Sequence, residues 1–127
     1  MGNRRNEKGQ GLVELALLLP ILLVVVMGAI DFGRVYFAYI AIANAAREGA
    51  FYVSLNPTAS NASVQGIVDA ELNGHLDGGA QVTAVGGSRS SGAEVTVTVQ
   101  HSFQAITTAI LGQRTFPVRA TAAMVVQ

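Results

Sequence analysis

From Gly11 to Ile30 the chain reads GLVELALLLPILLVVVMGAI, twenty residues with one ionisable side chain, Glu14. As an α-helix this run is roughly 30 Å long, about the thickness of a bilayer's hydrocarbon core. A charge at the centre of such a segment costs at least ~2.5 kcal/mol and marks function by default. Glu14 lies near the start of the run, where the cost is smaller. Arg4, Arg5 and Lys8 precede it, and a basic flank favours a cytoplasmic N-terminus with the rest of the chain outside. A cleaved secretory peptide has an apolar region of about 7–15 residues followed by small residues at the cleavage site. This run is longer, and the nearest small-x-small pattern, Ala41-Ile42-Ala43, lies beyond Asp31 and Arg34. A plain signal anchor with Glu14 among the headgroups is the simplest reading of the run.

The helix is expected to continue past the membrane. Phe32, Val35, Tyr36, Tyr39, Ile42, Ala43, Ala46, Ala50 and Val53 recur at helical spacing and define an expected apolar face. Asp31 and Arg34 are three apart and can meet on one turn. The expectation is one helix from about Leu12 to Val53, ended by Asn56-Pro57 because the ring disfavours helical geometry in the residue before it. Pro20 leaves the carbonyl of Ala16 without its usual amide partner, so a kink or local unwinding is expected there.

Residues 56–63 form a polar linker. A second helix is expected from about Val64 to Leu76, with Ser63 as N-cap and Val64, Ile67, Val68, Leu72 and Leu76 on one face. The clearest strand spans Ala93 to Gln100, where Val95, Val97 and Val99 alternate with Thr96, Thr98 and Gln100. Gln81 to Val85 is a weaker strand, and GGSRSSG between the two reads as a flexible hairpin loop. Phe103, Ile106, Thr107 and Ile110 suggest a short helix or turn ending at Gly112. A last strand is expected from Arg114 to Val126, with Phe116, Val118, Ala120, Ala122, Met124 and Val126 on one face. Three strands with one apolar face need a cover, and the outer half of the long helix is the available one.

Half of the residues are hydrophobic and 13% are charged, which fits a membrane segment joined to a subunit with apolar contact surfaces. The formal net charge is zero, so nothing electrostatic argues for nucleic acid. Without residues 1–9 the chain carries five Lys+Arg and seven Asp+Glu, a net −2. There are no cysteines, which excludes disulfides and thiolate metal sites.

Gly9 precedes Gln10, and Glu14 is the fifth residue counted from Gln10. With GQGLVELALLLP, GAIDFGRVYFAY and NAAREGA, residues 9–50 resemble the TadE-like family of the tight-adherence (Tad, or Flp) pilus system, a branch of the type IV pilins. The ending RTFPVRATAAMVVQ resembles the family's final strand less specifically. Three positions depart from the usual pattern: Leu15 stands where an aromatic is usual, Asp31 where glutamate is common, and Phe51 where arginine is common.

The resemblance implies an α+β, type IV pilin-like fold: a long N-terminal helix, its first half membrane-spanning and its second amphipathic, packed on a small antiparallel sheet. It implies a basic leader (1–9), a pilin helix (10–55) and a small globular domain (56–127). It also implies cleavage between Gly9 and Gln10 by a prepilin peptidase, and pairing of Glu14 with the α-amino group of Gln10 on a neighbouring subunit. The implied partners are other pilin subunits, that peptidase, the inner-membrane assembly platform and the bilayer. The implied location is the bacterial inner membrane, then an extracellular filament. Ala16, Gly28, Ala29 and Gly33 are candidates for close helix approach. Pro20, Asp31, Arg34, Arg47 and Glu48 join the assembly-interface candidates. Arg47 and Glu48 adjoin and do not face each other on a helix, so each is expected to meet a partner in the globular part or in the next subunit. A single-pass anchor with an external binding domain is the alternative.

No enzyme is expected. His75 and His101 are far apart in sequence and lack a metal spacing. His75 with Asp77 reads as a solvent-exposed pair near a helix end. Gly87-Ser88-Arg89-Ser90 lacks the glycine that a nucleophile elbow needs. No catalytic residue, metal site or cofactor is expected.

Overall fold

The structure, a computed structural model, describes residues 4–76, 78–108, 112 and 115–127, with side-chain surroundings from Gly9 onward. The expectations placed on Asp77, Ile110 and Arg114, and on the first three leader residues, lie outside the described residues. Five elements follow one another: α1 (Arg4–Leu55), α2 (Asn61–Leu72), β1 (Gln81–Gly87), β2 (Glu94–Gln104) and β3 (Thr115–Val125).

α1 is a single helix of 52 residues with Pro20 inside it, roughly 80 Å at the standard rise. It is longer than expected at both ends, and the leader residues from Arg4 are its first turns. It stops one residue before Asn56-Pro57, as the proline requires. The Asn56 amide and its side-chain amide both return to the carbonyl of Tyr52, at 3.0 and 3.1 Å, which satisfies a carbonyl at the helix end.

α2 begins three residues earlier than expected. Its N-cap is Ser60, not Ser63: the Ser60 hydroxyl accepts from the Ser63 amide at 3.2 Å. The helix ends at Leu72, so Leu76 lies beyond it. Val64, Val68 and Leu72 are buried, and Ile67 is half-buried. Gln65 reaches from α2 to the start of β1. It accepts from the Val82 amide at 2.7 Å and donates to the Ala80 carbonyl at 2.9 Å, which seats the first strand against the helix.

The sheet is antiparallel in the order β1-β2-β3. Val95, Val97 and Val99 are fully buried, and the threonines between them face outward. On the outer face the registered pairs Thr98–Thr121 and Gln100–Arg119 are hydrogen-bonded at 2.9 and 2.7 Å. A bulge between Val82 and Ala84 shifts β1 against β2. Gly87, at φ 91°, lets β1 approach the carbonyl of Glu94, where a Cβ would collide with the backbone. The loop after it is pinned: Arg89 donates to the carbonyls of Pro57 and Ala59 at 3.0 and 2.6 Å. The expected flexible loop is therefore tethered to the linker between the helices. On β3 the apolar face holds for Ala120, and Val126 just beyond the strand is also buried, while Val118, Ala122 and Met124 are half-buried and Phe116 is exposed.

The core lies between the sheet, α2 and the outer half of α1. The α1 face that enters it keeps Ile42, Ala46, Ala50 and Val53 of the expected set but turns away from its large rings. Ala38, Ile42, Ala45, Ala46, Gly49, Ala50 and Val53 are buried, whereas Phe32, Tyr36 and Tyr39 are exposed. Small residues win because the sheet comes close. A Cβ on Gly49 would stand 3.3 Å from methyl groups of both Val64 and Val97, and bulkier groups on this face would hold the layers apart.

Candidate functional site

The apolar half of α1 has no cover. Its most hydropathic window of eighteen residues is 0% buried, and Gly9, Gln10, Glu14, Ala16, Pro20, Gly28, Ala29 and Gly33 are all exposed. An added Cβ on Gly28 or Gly33 meets nothing within 4 Å. Ala29 and Gly33, four residues apart, share one face along which a second helix could approach closely, whereas Gly28 lies more than a quarter turn away. Gln10 Nε2 donates to Glu14 Oε1 at 3.4 Å, one turn away. Position 10 and the carboxylate thus share a helix face, and Glu14 stays open to a stronger partner. An uncovered window this apolar requires either lipid or other apolar helices around it.

Where the apolar run ends, α1 takes hold of the globular part. Asp31 is buried. Its Oδ1 accepts from the Ile106 amide at 2.8 Å, and its Oδ2 from the amide and the hydroxyl of Thr107, also at 2.8 Å. Arg34 adds the expected contact, 3.4 Å to Oδ1. The amide of Thr107 above all, then the amide of Ile106, the Thr107 hydroxyl and Arg34 hold the carboxyl below its ordinary 3.8, against burial, which pushes it up. Asp31 therefore caps the turn after β2, 75 residues away in sequence. The Asp31–Arg34 spacing was readable in advance, but this longer-range role was not.

Arg47 and Glu48 are exposed, and Arg47 donates to Asn44 on its own helix at 3.5 Å. Among the described residues neither has a partner in the globular part.

Beside Asp31 lies a cleft of about 750 Å³ between α1, the turn after α2 and the end of β2. Ile30, Gly33, Arg34 and Phe37 form its helix wall, and His75 and His101 line it from the globular part. The two histidines, distant in sequence, share this space. His101 Nδ1 lies 2.6 Å from the carbonyl of Gly79. A carbonyl only accepts, so Nδ1 carries the proton. Arg34 sits over the ring of Phe103 at 5.1 Å from its centre. Among the described residues no three His, Asp or Glu side chains gather as a metal site would require.

The continuous helix with an exposed Gly9-Gln10 and Glu14, joined to a three-stranded antiparallel sheet, is an α+β, pilin-like arrangement. A family comparison agrees. Residues 9–50 match the model of the TadE-like protein family. Neither the curated proteins nor the solved structures yield a match to the chain. The TadE-like segment runs from the expected processing site through the apolar run and Asp31 to the buried Ala45, Ala46, Gly49 and Ala50. It contains every sequence-derived candidate residue and stops before α2 and the sheet. The TadE-like family implies association with a Tad pilus system, and a single apolar N-terminal helix is compatible with a single-pass membrane protein of such a system.

Proposed function

We propose that the chain is a structural pilin-like subunit, major or minor, and not an enzyme. It waits in the inner membrane through α1 and enters a filament through the same helix, for adhesion or surface attachment. The observation that carries this reading is the uncovered apolar half of α1 continuing without a break into the helix that organises the outer domain. Lipid covers that surface first, and helices of other subunits replace it. Processing between Gly9 and Gln10 by a prepilin peptidase would create an ammonium at Gln10. Pairing this ammonium with Glu14 of a neighbour would compensate two charges in an apolar bundle. The assembly platform would supply the chain to the filament.

The test is mass spectrometry of the native N-terminus together with a search for the chain in sheared surface fibres. A start at Gln10 in the fibres supports the proposal; a chain in fibres that retains Arg4 and Arg5 refutes the processing step. The second reading is a membrane-anchored protein that serves assembly without entering the filament. The exposed face of the outer domain suits it equally, and a processed chain confined to membranes would favour it.

A further inference from the structure

We propose that the cleft beside Arg34 seats the headgroup of an anionic phospholipid, with the phosphate on the Arg34 guanidinium. This inference rests on the single-pass reading and not on filament entry.

Depth argues first. Ile30, where the apolar run ends, lines the cleft. The headgroup layer occupies roughly 5–8 Å on each side of the hydrocarbon core. Arg34 is four residues beyond Ile30, roughly 6 Å along the helix, and Phe37 is roughly 10 Å along it. The cleft therefore spans the level at which phosphates lie. Exposed aromatic and apolar side chains mark the same level: Phe32, Tyr36 and Phe37 on α1, with Ile106 and Phe116 at the near end of the sheet. Aromatic rings concentrate at this boundary, and they fix how deep α1 sits.

Charge argues second. The Asp31 carboxylate is engaged by the Ile106–Thr107 turn at 2.8 Å, and its contact with Arg34 is longer, 3.4 Å. Arg34 also donates to the Gln104 carbonyl at 3.5 Å. Both contacts use Nη1, and the side chain is 45% exposed. The ring of Phe103 holds the guanidinium on the cleft wall, with donors left for a phosphate, the anion its planar fork suits. The apolar wall at Ile30, on the side of Arg34 nearer the apolar run, suits the first carbons of the lipid.

The full chain is reconstituted into phosphatidylcholine nanodiscs with graded phosphatidylglycerol, and the ring signals of His101 and Phe103 are followed by NMR. A saturable shift that tracks phosphatidylglycerol content is expected. Arg34→Gln should weaken it about tenfold, whereas Arg47→Gln, on the same helix but away from the cleft, should not. Amide exchange at Val97 checks that both variants keep the core, and the wild-type titration stands without any variant. No phosphatidylglycerol dependence, or equal loss in Arg47→Gln, overturns the headgroup site and leaves the single-pass reading intact. The same shift with inorganic phosphate in pure phosphatidylcholine overturns it in favour of a soluble-anion site. A shift that tracks protein density instead of lipid charge overturns it in favour of a second copy. Failure of the chain to incorporate overturns the single-pass reading and the site together.

Discussion

Asp31 Oδ2 accepts two hydrogen bonds from Thr107, one from the amide and one from the hydroxyl, each at 2.8 Å. This contact joins the helix, where its apolar run ends, to the turn between β2 and β3. Replacing Asp31 with Asn turns one acceptor into a donor that faces the turn's own donors. Faster amide exchange at Ile106 and Thr107 is expected, with Val97 unchanged. Unaltered exchange at the two turn amides would sink the capping role.

The same contact sets an acid response. The folded carboxyl lies below its ordinary 3.8. A depressed carboxylate contributes stability that is present above the unfolded value and lost as pH falls through the folded one. The turn amides should therefore stay protected above about pH 5 and lose protection progressively as pH falls below the ordinary carboxylate value and through the depressed folded one. In Asp31→Asn this pH step should vanish.

Gly49 sits where helix and sheet come closest. Alanine there brings its methyl within 3.3 Å of two valines and should be only mildly unfavourable. Valine should cost about 1–3 kcal/mol through overpacking, read as a lower denaturant midpoint for the outer domain.

Ser60, not Ser63, caps α2. Ser60→Ala should cost about 1 kcal/mol and Ser63→Ala less, since its side chain only meets the Ser60 hydroxyl. Denaturant titration of the two variants distinguishes the caps, and a larger loss for Ser63→Ala would restore the sequence-based assignment.

Glu14 is remote from the core, so Glu14→Gln should leave the outer domain's protease resistance unchanged. Removing one member of a buried charge pair costs roughly 3–5 kcal/mol, enough to keep the variant out of sheared filaments while it accumulates in the membrane. Wild-type levels of Glu14→Gln in filaments would remove charge pairing from the mechanism.

Alternation made the β2 register readable, because Val95, Val97 and Val99 can share a core only in one phase. The long apolar helix and the Asn56-Pro57 stop were equally legible. The buried face of α1 was legible only in part. Ile42, Ala46, Ala50 and Val53 were expected in the core and lie there, but the large rings drew the expectation toward Phe32, Tyr36 and Tyr39, which are exposed. Packing added Ala38, Ala45 and Gly49, because closeness to the sheet favours small side chains. Long-range contacts were also hidden. Nothing local to Asp31 signals Thr107, nothing near Arg89 signals the carbonyls of Pro57 and Ala59, and no spacing rule unites His75 with His101. Gly9, Gln10 and Glu14 were visible because their pattern is written within a single helix.

The unbroken path of α1 from Gly9 to Leu55 makes the helix an axle. Each residue of an α-helix turns the chain by about 100° and lifts it about 1.5 Å. A neighbour that grips the apolar half of α1 therefore fixes which compass direction the β-sheet faces. One residue inserted between Gly28 and Asp31 would leave both halves folded yet swing the outer domain by more than a quarter turn relative to the inner one. A polymer built from such subunits would carry its surface in a different orientation, or would not close its contacts at all.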